Sequence, residues 1–160
     1  MRLVLVVLVA AFVAASLWLF VFVPSDHLRH ADVIVALAPS HSRIVEAEKL
    51  RREHVAPVVL VSLPPLSSSC PAQTTCFHAH PYSTQGEAET VAHIARARGW
   101  TQVVIVSNTY HLRRARLLFE RCLHRRPAIV AANTSVASYV LNIPREWVKL
   151  AYQFTFDRGC

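Results

Sequence analysis

The chain has 160 residues, a net charge of +7 and a positive mean hydropathy. That length holds one domain with a real core, while its only glycines, Gly86, Gly99 and Gly159, exclude both a Gly-x-Gly-x-x-Gly dinucleotide fingerprint and a P-loop. Lys49 and Lys149 are its only lysines, and the arginines gather at Arg113–Arg116 and Arg121–Arg126. A nucleic-acid surface needs basic groups interleaved with aromatics, so no nucleic acid is expected. A basic face of this kind suits an anionic membrane surface or envelope polymer.

The positive hydropathy is local. Leu3–Val23 carries no charge, and Ser16 is its only polar residue. That is enough to span a bilayer as a helix. A cleaved signal peptide is the rival reading, with Val13-Ala14-Ala15 as the cleavage site. The apolar run continues through Leu17–Val23, however, and signal peptides have shorter apolar regions. The expectation is therefore an uncleaved signal anchor over residues 1–24, in contact with the lipid bilayer through residues 3–23, a linker over 25–30 and one domain over 31–160. Only Arg2 and Arg29 flank the span, so the positive-inside rule gives a weak vote on orientation. An anchor followed by a long domain usually exports that domain. This predicts a single-pass plasma-membrane protein with its C-terminal domain extracytoplasmic.

Beyond the linker, Ala31–Ala38 is an apolar run after one acid, Asp32. Such a run suits a strand buried on both faces of a parallel sheet. Pro39-Ser40-His41 reads as a turn, and Ser42 as the cap of a helix over Arg43–His54. Pro57–Leu63 is a second buried strand. Pro64–Tyr82 reads as a long loop. Thr84 starts a helix to Arg98, closed by Gly99. Val103–Val106 is a third strand, followed by a helix to about Leu123, and Ala128–Ala132 is a fourth. Ser135–Asn142 is left unassigned. Pro144 then opens a last helix, Arg145–Phe156, with Trp147, Leu150, Ala151 and Phe154 on one stripe. Strands and helices alternate, which predicts an α/β fold with a mostly parallel sheet.

Four cysteines allow three disulfide connectivities. Cys70 and Cys76 flank a short loop and form one natural pair; Cys122 and Cys160 would be the second. No cysteine set has zinc-ligand spacing. His78 and His80 flank Ala79 without a third ligand at a known spacing, so no metal is expected.

In a parallel sheet, three strand ends would bring polar groups to one rim: Arg43 after the first, Ser62 after the second, and Ser107, Tyr110, His111 and Arg114 after the third. Thr84 and Glu87 open the helix that faces the same rim. Each has a structural alternative. Thr84 with Glu87 is a capping box, Ser107 or Thr109 caps the next helix, Arg43 pairs with Glu46 or Glu87, and His111 is a packed histidine. Their convergence favours a ligand site, because open α/β sheets bind ligands at the carboxyl ends of their strands and helix N-termini there favour anions. A hydrolase elbow of Gly-x-Ser-x-Gly type is absent.

Several segments resemble the YdcF-like family of α/β domains, which includes SanA- and ElyC-type envelope proteins. They are Asp32–Leu37 with Arg43, Ile44 and Ala47; Ser62; Ser83–Ala88; Ser107–Ala115, the most specific; and Glu146-Trp147. The resemblance covers about residues 31–156. It implies a Rossmann-like three-layer sandwich, membrane anchoring, and links to envelope integrity and peptidoglycan precursor metabolism. Some members are associated with S-adenosylmethionine. The family's glycines after the first strand and after the serine of the second are replaced here by Ala38-Pro39 and Leu63, whose side chains would hinder backbone approach to a phosphate. No cofactor is therefore carried over.

Two functions follow as expectations. One is a hydrolase or transferase acting on an anionic small molecule, such as a phosphate-bearing envelope precursor. In it Arg43 and Arg114 bind the anion, His111 is the acid/base, Glu87 orients the set, and Ser62, Thr84, Ser107 and Tyr110 complete the pocket. The other is a non-catalytic binding or scaffold protein using the same pocket. Oligomeric state is not readable from the residues.

Overall fold

A computed structural model describes the chain from Met1 to Cys160 except Pro39, Ser68, Asp157 and Arg158. The predicted turn at Pro39 therefore falls partly outside the described residues.

Five strands form one parallel sheet: β1 (Val33–Ala36), β2 (Val58–Leu63), β3 (Thr75–His78), β4 (Val103–Asn108) and β5 (Ala128–Ala132). Their spatial order is β3-β2-β1-β4-β5. Every pairing is parallel, so all carboxyl ends share one rim. The chain winds outward from β1 through β2 to β3, then crosses back to β4. The direction of winding thus switches between β1 and β4, and at such a switch point a crevice opens.

The helices are α1 (Arg2–Ser16), α2 (His41–Arg52), α3 (Thr84–Arg98), α4 (Thr109–Leu123) and α5 (Val136–Thr155). Alternate residues of the buried strands feed two cores. Val33, Val35 and Ile105 pack with Val91, Leu112 and Leu118 under α3 and α4. Ile34, Val59 and Val104 pack with Ala47 and Leu50 under α2. The result is the expected three-layer α/β sandwich.

Three local differences from the sequence expectation have simple causes. The stretch read as a loop contains β3, an edge strand with only Phe77 buried, so its apolar signal is faint. The helix expected after Ser42 starts at His41 behind Ser40. The last helix begins at Val136 and runs through Pro144. Gly99 ends α3 in the left-handed region, at φ 68°, which glycine tolerates without strain. Gly86, in the first turn of α3, has the Pro81 carbonyl oxygen where a Cβ would stand.

The apolar N-terminal segment is one helix, α1 extended by a π-helical turn at Leu17–Val21, long and apolar enough to cross a membrane. Its last residues join the domain: Phe20 is 1% exposed and Val23 lies in the core. The following linker lies along β5. The Asp26 N–H donates to the Ile129 carbonyl, the Ile129 N–H to the Asp26 carboxylate, and the Ala131 N–H to Ser25 Oγ. Arg116 pairs with Asp26. Both cysteine pairs are bonded, Cys70 to Cys76 and Cys122 to Cys160.

Candidate functional site

The carboxyl ends of β1 and β4, the first turns of α3 and α4, and α5 enclose a cleft of about 240 Å³. Arg43, Thr84, Glu87, Tyr110, His111 and Arg114 line it, joined by Ala38, Tyr82, Ser83, Asn142, Glu146 and Lys149. Six of the eight predicted catalytic and binding residues thus share one cavity. A larger cavity, about 410 Å³, opens near Trp100, His124, Arg125 and Arg126. It lies at the opposite rim, where α3 and α4 end, away from the predicted residues.

His111 stands in the first turn of α4, buried at 6% exposure. Its Nδ1 lies 2.9 Å from Ser107 Oγ and its Nε2 3.2 Å from Thr84 Oγ1. Burial, reinforced by the nearby Arg114, Arg43 and Lys149 charges, holds its pKa well below 6.5. The ring is therefore a neutral base at neutral pH. With its proton on Nδ1 and donated to Ser107, Nε2 is free to accept the Thr84 hydroxyl proton or that of a water in the cleft.

Thr84 is available for this because it does not cap α3. Ser83 does: its Oγ accepts the Gly86 N–H at 3.1 Å. The predicted capping box of Thr84 with Glu87 is corrected accordingly. The Glu87 carboxylate instead accepts the Ala38 N–H at 2.8 Å. Burial raises the Glu87 pKa, opposed by Ser62, the Ala38 N–H, Arg43 and Arg114. Ala38 holds φ +26°, a backbone conformation that favours glycine.

The two predicted anion-binding arginines are already engaged. Arg43 donates from Nε to Asn108 Oδ1 at 2.6 Å and from Nη1 to the Leu37 and Ala38 carbonyls at 2.5 and 2.8 Å. It pairs with neither Glu46 nor Glu87; it ties the end of β1 to the end of β4, and burial lowers its pKa. Arg114 makes a two-point ion pair with Glu146, Nε to Oε2 at 2.7 Å and Nη2 to Oε1 at 3.0 Å, both side chains buried. Lys149 stands 3.6 Å from the same carboxylate and is 55% exposed, so it is the solvent-facing cation of the cleft.

Ser62 and Ser107 are fully buried and absent from the cleft lining. They act behind the surface, Ser107 on His111 and Ser62 beside Glu87. Leu63 does not intrude either, since it packs in the core under α2. Asp32, in the segment that resembles the family's first strand, serves the far rim. Its carboxylate accepts the Thr101 and Gln102 N–H groups at 2.6 and 2.8 Å, which lower its pKa. Sequence reasoning missed Asn142 and Lys149 entirely and gave Glu146 no site role; the one available signal was Glu146-Trp147 in the family resemblance. Among the described residues no three His, Cys, Asp or Glu side chains group as a metal site would require.

Compared with family models, with curated proteins and with solved structures, the chain finds no match.

Proposed function

We propose that this chain is a membrane-anchored envelope protein whose rim cleft binds an anionic, phosphate- or carboxylate-bearing precursor, with His111 as the base of a hydrolase or transferase reaction. One observation carries the reading: a neutral, buried His111 faces Thr84 in a cleft where Arg43, Arg114 and Lys149 outnumber Glu87 and Glu146. The surplus cation attracts an anion, and burial, with the three positive charges beside it, keeps the histidine unprotonated and so able to accept a proton. Thr84 is the bound nucleophile or the group that positions a water. The envelope setting rests on the YdcF-like resemblance and on the two disulfides, which belong in an oxidising compartment and support an extracytoplasmic domain.

A non-catalytic binding role is the second reading. The Arg114–Glu146 pair favours it, because a guanidinium already held at two points has less to offer a transition state.

The full-length protein in detergent tests both. Inorganic phosphate and pyrophosphate are titrated in a thermal-shift assay, and p-nitrophenyl phosphate is offered as substrate. The expected results are a rise in Tm for wild type that is lost in Lys149→Ala, and turnover that is lost in His111→Ala. A Tm shift without turnover leaves the binding role. No shift with either anion, or an equal shift in Lys149→Ala, overturns the anion site.

A further inference from the structure

The last helix leaves much of its apolar surface uncovered. Its buried residues are Glu146 and Gln153, with Tyr139, Ile143, Trp147 and Leu150 half-buried, and Glu146 and Lys149 border the cleft. Val136, Val140, Leu141, Val148 and Tyr152 are all between 54% and 80% exposed. At 3.6 residues per turn these five fall within one half of the helix circumference. A helix on a globular domain normally buries that half, and an exposed apolar patch of this kind marks a contact surface.

Its neighbour indicates what covers it. Trp147 lies against α1, its ring 5.4 Å from that of Phe12 and stacked on it, and 5.4 Å from Phe20 edge-on. The Trp147 indole N–H donates to Ser16 Oγ at 3.0 Å. At 1.5 Å per residue, Phe12 stands about 13 Å before the end of the apolar helix at Val21. The helix is also shortened from the other end. Phe20 and Val23 are buried in the domain, so the part left for lipid is roughly residues 3–18, about 24 Å long. The hydrocarbon of a bilayer is about 30 Å thick. A membrane around α1 therefore extends past Trp18 and onto the domain, where α5 lies alongside. The flanking groups suit an interface: Arg113 rests over the Trp18 ring at 4.1 Å, and Arg145 sits exposed on α5 itself. Aromatic rings and long cations are the side chains that settle at headgroup depth.

We propose that α5 lies in the membrane interface, its Val140, Val148 and Tyr152 face immersed in the phospholipid leaflet through which α1 joins the domain. The proposal rests on α1 crossing the membrane. Its polar face then looks away from lipid, into the cleft, which opens at the membrane surface.

Photocrosslinking of the full chain in phosphatidylethanolamine/phosphatidylglycerol vesicles tests it. p-Benzoylphenylalanine is placed singly at Leu8, Val45, Val148 or Tyr152, all exposed positions, and adducts are read by mass spectrometry. Leu8 reports the span, and Val45, on α2 across the sheet, reports background. Lipid adducts at Val148 and Tyr152 comparable in yield to those at Leu8, with none at Val45, support the proposal. Adducts at Leu8 alone overturn it while leaving the span intact. Crosslinks from Val148 to a second copy of the chain overturn it in favour of a dimer face. No adduct at Leu8 overturns the span and the proposal together.

Discussion

His111 Nε2 faces the Thr84 hydroxyl at 3.2 Å, across the gap between α4 and α3. The contact fastens two helix N-termini over the β1/β4 crevice, and the buried ring that makes it is held uncharged. This has a pH signature. The folded-state pKa is depressed below 6.5 by burial and by Arg114, Arg43 and Lys149. Between that value and 6.5 the unfolded chain binds the extra proton. Stability is then fully present above about pH 6.5 and falls as the pH drops, by up to about 1.4 kcal/mol per pH unit. Denaturant unfolding from pH 8 to pH 5 should show this acid slope in wild type and a flatter one in His111→Gln. Equal slopes would mean that His111 is not buried in its neutral form.

The Arg114–Glu146 pair locks α5 onto the rim. Glu146→Ala strands a buried guanidinium, and a loss of about 3–5 kcal/mol is expected. Arg114→Met combined with Glu146→Leu removes both charges and should cost clearly less than Glu146→Ala alone. Chemical denaturation of the two variants checks the order; the reverse order would show that the charges are solvated.

Gly86→Ala would press a methyl group into the Pro81 carbonyl. The first turn of α3 must then shift, and with it Thr84. Overpacking of this kind costs about 1–3 kcal/mol. A Tm unchanged within error would show that the Pro81 loop moves aside freely.

The two disulfides differ in the loop they close. Cys122–Cys160 spans 38 positions and Cys70–Cys76 spans 6. In the chain-entropy model, removing the first costs about 4 kcal/mol and the second about 2 kcal/mol. Paired Cys→Ala variants compared by urea unfolding should rank in that order, and the Cys122/Cys160 variant should also loosen α5, detectable as faster amide exchange there.

Much of this architecture is legible in the residues because parallel strands buried on both faces are unbroken apolar runs. Val33–Ala36, Val103–Val106 and Ala128–Ala132 all read that way, and Val58–Leu63 does so but for Ser62. β3 is not legible, since Thr75-Cys76-Phe77-His78 borrows most of its stability from its partner strand rather than from its own burial. The rim residues after β1, β2 and β4 were foreseeable once the sheet was parallel. Their roles were less so. Whether Arg43 meets a ligand or a carbonyl depends on the path of Leu37 and Ala38, and whether Arg114 is free depends on Glu146, thirty-two positions away. The first half of α5 was hidden by Pro144, which reads as a helix start and here sits inside one.

The linker after α1 has a mechanical consequence. Ser25 and Asp26 are stitched to Ile129 and Ala131 by backbone and side-chain hydrogen bonds, and Asp26 is clamped by Arg116. The joint between α1 and the domain is therefore pinned at both Ser25 and Asp26, so a tilt of that helix would be passed to β5 and, through it, to the sheet that carries the cleft.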